Sequence, residues 1–371
     1  MKPATLIKWY QIHKWTSLIC TAFILLLCIT GLPLIFHDEI DHISGYRTKP
    51  PEMQEFHEHI NIDKIIKAAK KHQPEDVLQF LSRDLEEPDA WFIRFGKTAT
   101  ASEPSAFLIY DARTGKLLNE YPLNKGIMDF LFRLHYDMFS GLPGTLFLGF
   151  MGLLLIASIV SGVVLYGPFM RKLPFGTVRR RRSSVLKWLD LHNLIGIVTL
   201  GWLAVVGATG VINTLAIPIF GHWQSTELAS MTDAYGKRKP LQKVASTQEV
   251  LDSARKAEPD KVLSFMAFPG TSLSTPFHYV AFMQGTKAWS SKLLKPVLVD
   301  SESAVVEDSR ELPWYVTMLL LSQPLHFGDY GGMPLKILWA ALDIFSILLL
   351  GSGLYLWIKR HNYLLETLLK T

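Results

Sequence analysis

The sequence has few cysteines for its length, with only Cys20 and Cys28 in 371 residues. Both lie in one apolar run, and the rise of a helix would place them about 12 Å apart, too far for a disulfide. No C-x-x-C-H motif occurs, which excludes covalent haem attachment, and two cysteines cannot bind an iron–sulfur cluster. The sequence also lacks G-x-G-x-x-G and any flavin-type motif, so electrons used by this chain would come from another molecule.

Charged residues are missing from three long apolar segments and nearly missing from a fourth. Residues 16–36, 142–170 and 191–223 contain no Asp, Glu, Lys or Arg, and residues 337–358 contain only Asp343. A bilayer core of about 30 Å needs about 20 apolar helical residues, so each segment is long enough to span a lipid bilayer. The sequence therefore predicts a membrane protein with four transmembrane helices. The first segment is too long for the apolar region of a signal peptide and is followed by no small-residue cleavage site, so we expect it to stay as an anchor.

Basic residues predict the orientation of these helices. The loop 171–187 is rich in Arg and Lys, and further lysines and arginines lie near the N-terminus and at residues 359 and 360. With four crossings these three regions share one side, which the positive-inside rule makes cytoplasmic. We therefore expect a multi-pass protein of a bacterial inner membrane, with both termini in the cytoplasm. The net charge of +5 reflects this topology and not nucleic-acid binding.

The predicted organisation has eight segments. They are helix 1 with its cytoplasmic start (1–37), a periplasmic domain (38–141), helix 2 (142–170), a basic cytoplasmic loop (171–187), helix 3 (188–223), a second periplasmic domain (224–335), helix 4 (336–358) and a cytoplasmic tail (359–371).

The two halves of the sequence resemble each other in collinear blocks. "KWYQIH" at 8–13 matches "KWLDLH" at 187–192, "LHYDMFSGLP" at 134–143 matches "LHFGDYGGMP" at 325–334, and "SGVVLY" at 161–166 matches "SGLYLW" at 352–357. We therefore predict a tandem duplication of a helix–external domain–helix unit. Each external stretch has a helical pattern, Ile62–His72 or Thr247–Ala257, followed by β-rich runs, which predicts two small α+β domains.

Four histidines recur at equivalent positions of the two halves: His13, His192, His135 and His326. Because each repeat has an even number of helices, both halves have the same orientation, and equivalent residues face each other across an axis along the membrane normal. His13 would then pair with His192 at the cytoplasmic face and His135 with His326 at the periplasmic face. Two facing imidazoles suit a flat cofactor with one axial nitrogen on each side, as in haem b, whereas zinc normally takes four ligands. The prediction is two non-covalent, bis-His haem b groups. A single histidine near a helix end is more often an interfacial polar residue, but recurrence of all four argues against that interpretation.

Three further residues are candidates for the surroundings of these sites. Asp343 is the one carboxylate inside the four apolar segments, and intramembrane ionisable groups are usually functional. His42 and His222 fall within one residue of equivalent positions near the periplasmic boundary. They could approach incoming iron or a haem propionate, or they could simply be exposed interfacial histidines.

Several of these motifs together resemble a known family. They are external helix-plus-strand modules with a D-x-x-T-G turn at 111–115, the pattern L-H-aromatic-x4-G-x-P before an apolar helix, and H-K-W at 13–15. Over nearly the whole chain they are similar to the PepSY-associated transmembrane family, and within it to inner-membrane ferric-siderophore reductases of the FoxB type. The resemblance implies PepSY-like periplasmic domains and two b-type haems held by His13, His135, His192 and His326. It also implies reduction of a ferric siderophore or chelate in the periplasm, with electrons from an unidentified donor.

Two other functions remain open at this point. One is a quinol-linked di-haem cytochrome with another periplasmic acceptor. The other is a membrane-anchored PepSY module that binds a protein partner or inhibits a peptidase, without electron transfer. An absorption spectrum distinguishes the PepSY module without electron transfer from the ferric reductase and the quinol-linked cytochrome, because only the two haem proteins would be coloured.

Overall fold

The structure is a computed structural model that describes residues 2–53, 58–170, 173–179, 183–232, 244–287 and 290–368. The chain divides into two compact units. The helical unit comprises Met1–Phe36, Phe130–Ile217 and Ser322–Thr371, and the sheet unit comprises His37–Asp129 and Pro218–Leu321. The chain thus leaves and re-enters the helical unit twice.

Four helices of the helical unit are long and apolar enough to cross a membrane, which confirms the predicted number of spans. They are α1 (Pro3–Leu34), α5 (Leu142–Met170), α6 (Ser184–Thr214) and α11 (Gly332–Leu368). Helices α1 and α5 pack together, as do α5 and α6, and α11 packs on both α6 and α1. Cys20, Ile24, Cys28 and Met151 form a buried cluster in this bundle. The two cysteines are free thiols, in agreement with the prediction that they do not form a disulfide.

The third and fourth predicted spans differ from the helices in their boundaries. The predicted range 188–223 covers most of α6 and also a separate short helix, α7 (Ala216–Trp223). Pro218 explains the break, because proline has no N–H and its ring clashes with the carbonyl of the fourth residue before it, here Thr214. Helix α11 is longer than the predicted span 336–358 and takes in most of the predicted tail.

The basic loop is only partly described. Residues 171, 172 and 180–182, which carry much of its predicted charge, lie outside the described residues. Arg179 is described, and its guanidinium contacts the buried carboxylate of Asp190 in α6 (Nη2–Oδ1 2.7 Å). Ser183 caps the start of α6 by accepting a hydrogen bond from the backbone N–H of Leu186 at 3.3 Å.

The remaining helices are short. They are α2 (His37–Ile43), α3 (Ile62–His72), α4 (Gly126–Tyr136), α8 (Ala229–Thr232), α9 (Thr247–Ala257) and α10 (Trp314–Phe327), with a π-helical turn at Gln224–Leu228 and a 3-10 turn at Asp329–Gly331. The bounds of α3 and α9 are those the sequence predicts.

The sheet unit contains one antiparallel sheet of eight strands. The strands are β1 (Val77–Ser82), β2 (Ala90–Gly96), β3 (Ala106–Asp111), β4 (Leu117–Glu120), β5 (Lys261–Ala267), β6 (His278–Gly285), β7 (Leu294–Asp300) and β8 (Val306–Ser309). Their order is β4-β3-β2-β1-β5-β6-β7-β8, so each half contributes a four-stranded meander.

The two halves join through β1 and β5, which pair from Phe80↔Ala267 to Ser82↔Phe265. Helices α3 and α9 share one buried core with strands from both halves. Asp63 of α3 also accepts a hydrogen bond from the N–H of Thr247 at the start of α9 (2.8 Å). The sequence predicts two separate external domains, whereas the structure unites both stretches in one sheet with one shared core.

Candidate cofactor site

The structure brings the four predicted histidines together in two pairs within the helical unit. The ring centres of His13 (α1) and His192 (α6) lie 6.5 Å apart, with ring planes at 75°. Those of His135 (α4) and His326 (α10) lie 6.3 Å apart, with planes at 62°. The partners are therefore those that the sequence repeat predicts. Their role as ligands stays a prediction.

Each histidine lies against a hydroxyl residue that is followed directly by glycine on another helix. We call these dipeptides the hydroxyl–glycine pairs: Thr30–Gly31 for His135, Ser161–Gly162 for His13, Thr209–Gly210 for His326 and Ser352–Gly353 for His192. Two of them lie at equivalent positions of α1 and α6, and the other two at equivalent positions of α5 and α11. All four histidines are thus held in the same way.

The hydroxyl of each pair contacts Nδ1 of its histidine. The Oγ–Nδ1 distances are 2.9 Å for Thr30, 3.3 Å for Ser161, 3.3 Å for Thr209 and 2.9 Å for Ser352. Backbone carbonyls also contact Nδ1, for example Ser158 O at 2.9 Å from His13 and Val206 O at 3.0 Å from His326. Nδ1 is therefore the ring nitrogen that the protein engages.

These contacts also assign the proton on each ring. A hydroxyl has one proton, and each of the four hydroxyls donates it to a carbonyl of its own helix, that of Leu26, Ala157, Val205 or Leu349. The hydroxyl oxygen must then accept a hydrogen bond from Nδ1–H of the histidine. A backbone carbonyl can only accept as well, so these contacts also place the proton on Nδ1. Nε2 therefore keeps its lone pair, and a metal ion binds histidine through such an unprotonated nitrogen.

The glycine of each pair makes room for the histidine ring. A Cβ atom built at Gly31, Gly210, Gly162 or Gly353 would lie 3.0, 3.1, 3.2 or 3.3 Å from Cε1 of the adjacent histidine. Real Cβ contacts are rarely this short, so any larger residue would push the ring away from the helix. Glycine is required here for close approach, not for an unusual backbone angle.

The two pairs lie at different levels of the bundle. Helix α1 carries His13 of one pair and Gly31, which contacts His135 of the other. At about 1.5 Å per residue, these positions are separated by about 27 Å along the helix. Helix α6 repeats this arrangement with His192 and Gly210. The separation is close to the thickness of a bilayer core, about 30 Å.

Asp343 lies inside the bundle but does not contact the histidine pairs in the described part of the chain. Its side chain is 4% exposed and interacts with the thiol of Cys28. Its Oδ2 atom has no hydrogen-bond partner among the described residues. No contact among the described residues therefore supports the predicted position of Asp343 next to a cofactor.

His42 and His222 both lie in the sheet unit, where they contact different residues. His42 donates or accepts at both nitrogens, with Arg47 O at 2.8 Å from Nδ1 and the Glu87 carboxylate at 2.9 Å from Nε2. His222 packs its ring on Tyr315, with centres 5.4 Å apart. His42 thus belongs to an ion cluster around Arg47, and the predicted role of both histidines near iron stays untested.

The hydrogen-bonding role of the hydroxyl residues was missed by sequence reasoning. The sequence does carry a signal for it, because Thr-Gly and Ser-Gly recur at equivalent positions in both halves. In each of these dipeptides the hydroxyl residue recurs together with the glycine.

Comparison with known proteins agrees with this architecture. The family model described as the PepSY-associated TM region matches residues 10–360. An uncharacterized protein of Pseudomonas aeruginosa is 25% identical over 252 residues, which cover 63% of this chain and 64% of that protein. The chain therefore matches less than two thirds of that relative's length. Since the family match covers residues 10–360 of 371, the chain belongs to the family of the PepSY-associated transmembrane region.

Proposed function

We propose that this protein is a membrane electron-transfer protein that binds two haem b groups and reduces a ferric chelate, such as a ferric siderophore, outside the cytoplasm. The observation that carries the proposal is the fourfold use of a hydroxyl–glycine pair to hold a histidine with Nε2 left for a metal. A structural or interfacial histidine has no need for this arrangement, and four would not share it.

The spacing within each pair fits an iron atom between the two rings. Two metal–nitrogen bonds of about 2.0 Å, with about 1.1 Å from each nitrogen to its ring centre, separate the ring centres by about 6.2 Å. The two observed separations are 6.5 and 6.3 Å. His13 with His192, and His135 with His326, would hold a haem iron through their Nε2 atoms, whereas two ligands are too few for a closed zinc site.

A haem b bound at each pair would supply one-electron transfer without an open iron position for oxygen. The residues of the chain would set its properties. Donation of Nδ1–H to a hydroxyl or carbonyl oxygen makes each imidazole a better electron donor through Nε2 and fixes its orientation.

The remaining parts of the proposal concern topology, origin and partners. The positive-inside pattern supports cytoplasmic termini, a bacterial inner membrane, and the His135–His326 pair on the periplasmic side with the sheet unit. The matching halves of the sheet, each a helix and a four-stranded meander, support a tandem duplication that yields two PepSY-like domains. The electron donor would act at the His13–His192 pair.

The first experiment determines the cofactor. Protein purified from haem-replete cells should contain two haem b groups per chain, extractable with acid acetone and low-spin in the absorption spectrum. His13→Ala and His192→Ala should each lose the same haem, and His135→Ala and His326→Ala the other. His72→Ala is the control, since this exposed histidine of the sheet unit pairs with the carboxylate of Glu120 (Nε2–Oε2 3.2 Å) and belongs to neither pair. A colourless protein, or loss of the same haem in both His13→Ala and His135→Ala, would refute the assignment.

The second experiment determines the acceptor. Dithionite-reduced protein, freed of excess reductant, should be reoxidised by ferric siderophores in anaerobic stopped flow, with matching formation of Fe(II) trapped by ferrozine. The His135→Ala variant should lose this reaction while its remaining haem is still reduced. Reoxidation that is no faster with ferric chelates than without them would reject iron reduction. A rapid reaction with quinones alone would instead favour a quinol-linked cytochrome.

The third experiment determines the orientation. A reporter fused near Gly176 should behave as cytoplasmic, and one fused in the sheet unit near Gly45 as periplasmic. The opposite result would exchange the two faces and leave the pairing of the histidines intact.

A further inference from the structure

Three side chains capable of binding a metal meet in the second half of the sheet unit. His278 opens β6, Asp300 ends β7 directly opposite it, and Glu307 lies in β8. One ligand atom from each lies within 4.8 Å of the other two. His278 is fully buried at 0% exposure, Asp300 is 5% exposed, and the side chain of Glu307 is 12% exposed. We call these residues the sheet cluster.

The contacts of the cluster fix its geometry. The Nε2 atom of His278 lies 2.5 Å from the Glu307 carboxylate, and its Nδ1 lies 2.5 Å from the hydroxyl of Thr275. Asp300 uses Oδ1 to accept hydrogen bonds from the backbone N–H and the hydroxyl of Ser303, at 2.8 and 2.6 Å. The turn after β7 therefore holds Asp300, and Thr275 holds the histidine ring.

The equivalent place in the first half of the sheet has a different composition. Asp111 ends β3 opposite Ala90 of β2, as Asp300 does opposite His278. Asp111 caps its turn in the same way but is neutralised by Arg113, with Nη2–Oδ2 at 3.0 Å. Its neighbours Ala90 and Leu118 belong to an apolar cluster. The second half thus keeps the aspartate, as Asp300, but has Glu302 at the position of Arg113. It also has His278 at the position of Ala90 and Glu307 at the position of Leu118.

The charge of the sheet cluster favours a cation. Two carboxylates face one imidazole, so the group carries a charge of −2 with neutral histidine and −1 with protonated histidine. A divalent ion bound together with a neutral histidine would bring the summed charge of these three side chains to zero.

We propose that His278, Asp300 and Glu307 bind a divalent transition-metal ion, separately from the histidine pairs of the helical unit. One imidazole nitrogen and two carboxylate oxygens suit Zn²⁺ or Mn²⁺, and the absence of sulfur excludes a preference for Cu(I). Ligand atoms of a tetrahedral zinc site lie about 3.3 Å apart, so side-chain shifts of about 1 Å from the present positions would complete it. Glu307 lies on β8, the edge strand of the sheet, which gives the ion a route of entry.

The test uses the full-length protein in detergent, purified without a polyhistidine tag and dialysed against EDTA. Zn²⁺ is the probe, because it is redox-inert and is counted separately from haem iron by mass spectrometry. The key variant is His278→Ala/Glu307→Leu, which copies the Ala90 and Leu118 of the first half and leaves Asp300 and its turn in place. The control is His59→Ala, which removes an exposed pair with a single carboxylate (Nε2–Oδ1 of Asp89, 2.8 Å).

We expect wild type and His59→Ala to bind one Zn²⁺ per chain with equal affinity, and the double variant to bind it at least 100-fold more weakly. Addition of Zn²⁺ should raise the Tm of wild type and not that of the double variant. Glu307→Gln, which keeps the contact with His278 but removes one charge, should weaken binding about 10- to 100-fold. Equal Zn²⁺ binding by wild type and Glu307→Gln, or no Zn²⁺ binding by wild type, would overturn the proposal, whether or not the double variant folds.

Discussion

Each of the four histidines is fixed by two neighbouring residues with separate tasks, a hydroxyl that binds Nδ1 and a glycine that admits the ring. The sequence identified the histidines, because both halves carry them at equivalent positions. It could not assign the hydroxyls, because the contact depends on the rotation of each helix about its axis and on its packing against the next. Thr199 illustrates the difficulty, since it is a fully buried threonine of α6 that bonds only to Ile195 O among the described residues.

Removal of one hydroxyl should weaken one site without unfolding the bundle. Thr30→Val keeps the shape of the side chain but deletes the oxygen 2.9 Å from Nδ1 of His135. Loss of such an orienting contact typically reduces metal affinity about 10- to 100-fold. The haem retained after dilution into apomyoglobin should fall for the His135–His326 site only. Thr199→Val is the matched control and should retain both haems; equal loss in both variants would indicate a general packing effect.

Addition of one methyl group should displace a ring. In Gly210→Ala the new Cβ would lie 3.1 Å from Cε1 of His326, whereas a Cβ at Gly201 of the same helix meets nothing within 4 Å. Alanine favours a helix over glycine by about 1 kcal/mol, so the fold should tolerate both changes. We expect altered low-spin electron paramagnetic resonance signals, or loss of one haem, for Gly210→Ala alone. Unchanged spectra for Gly210→Ala would show that the close approach is not required.

At the scale of the elements, helices were easier to predict than strand partners. The limits of α3 and α9 follow from their helical patterns and the proline two residues beyond each, and the hairpin β3–β4 follows from the D-x-x-T-G turn at 111–115. Strand β1 is difficult to predict from the sequence, because its six residues include Gln79 and Ser82 and show no strong alternation. Its pairing with β5 joins residues far apart in the chain, and such edge pairing has no local signal. Pro218 indicates that α6 ends a few residues before it. The predicted span continued to residue 223 because the residues after Pro218 are also apolar.

One ionised side chain links several elements of the sheet unit. Glu258 ends α9 and contacts Lys261 of β5 at 2.7 Å, Lys295 of β7 at 2.6 Å and the Ser309 hydroxyl of β8 at 3.0 Å. Burial alone would raise the pKa of Glu258, but these three partners outweigh it and lower the pKa to about 2. The carboxylate therefore stabilises the folded state above the unfolded pKa of about 4.3, and this contribution is lost as the pH falls from there towards 2.

Glu258→Gln should destabilise the sheet unit at pH 7 by about 1.5–3 kcal/mol, the range for hydrogen bonds to charged groups. The Tm of the variant should then fall less than that of wild type as the pH is lowered from 5 to 3. Tryptophan fluorescence during thermal unfolding of the detergent-solubilised protein measures both effects. The exposed carboxylate of Glu86 provides the control Glu86→Gln. A variant whose Tm follows the same pH curve as wild type would show that Glu258 is not the responsible group.

At the scale of the whole molecule, some features can be predicted from the sequence and others cannot. Membrane spans and family follow from composition and motifs, because long uncharged segments have few alternative structures. The union of two external stretches into one eight-stranded sheet does not, since it depends on how two similar surfaces meet. The same repeat that predicted the histidine pairs suggested two independent domains, and only the contacts between β1 and β5 and between α3 and α9 decide otherwise.

The separation of the two histidine pairs along α1 and α6 has an electrical consequence. Charge that moves about 27 Å through a core of about 30 Å crosses most of the membrane field, which is worth about 2 kcal/mol per 100 mV for one electron. Under the proposed function, an inside-negative potential would drive electrons outward. In proteoliposomes with reductant inside and ferric chelate outside, a potassium diffusion potential of that sign should accelerate Fe(II) formation, and the opposite sign should slow it. A rate that is insensitive to both would place the pairs at the same electrical depth. Each ferric ion reduced would then discharge the membrane by one elementary charge, so the voltage that the cell maintains for transport would also help to supply it with soluble iron.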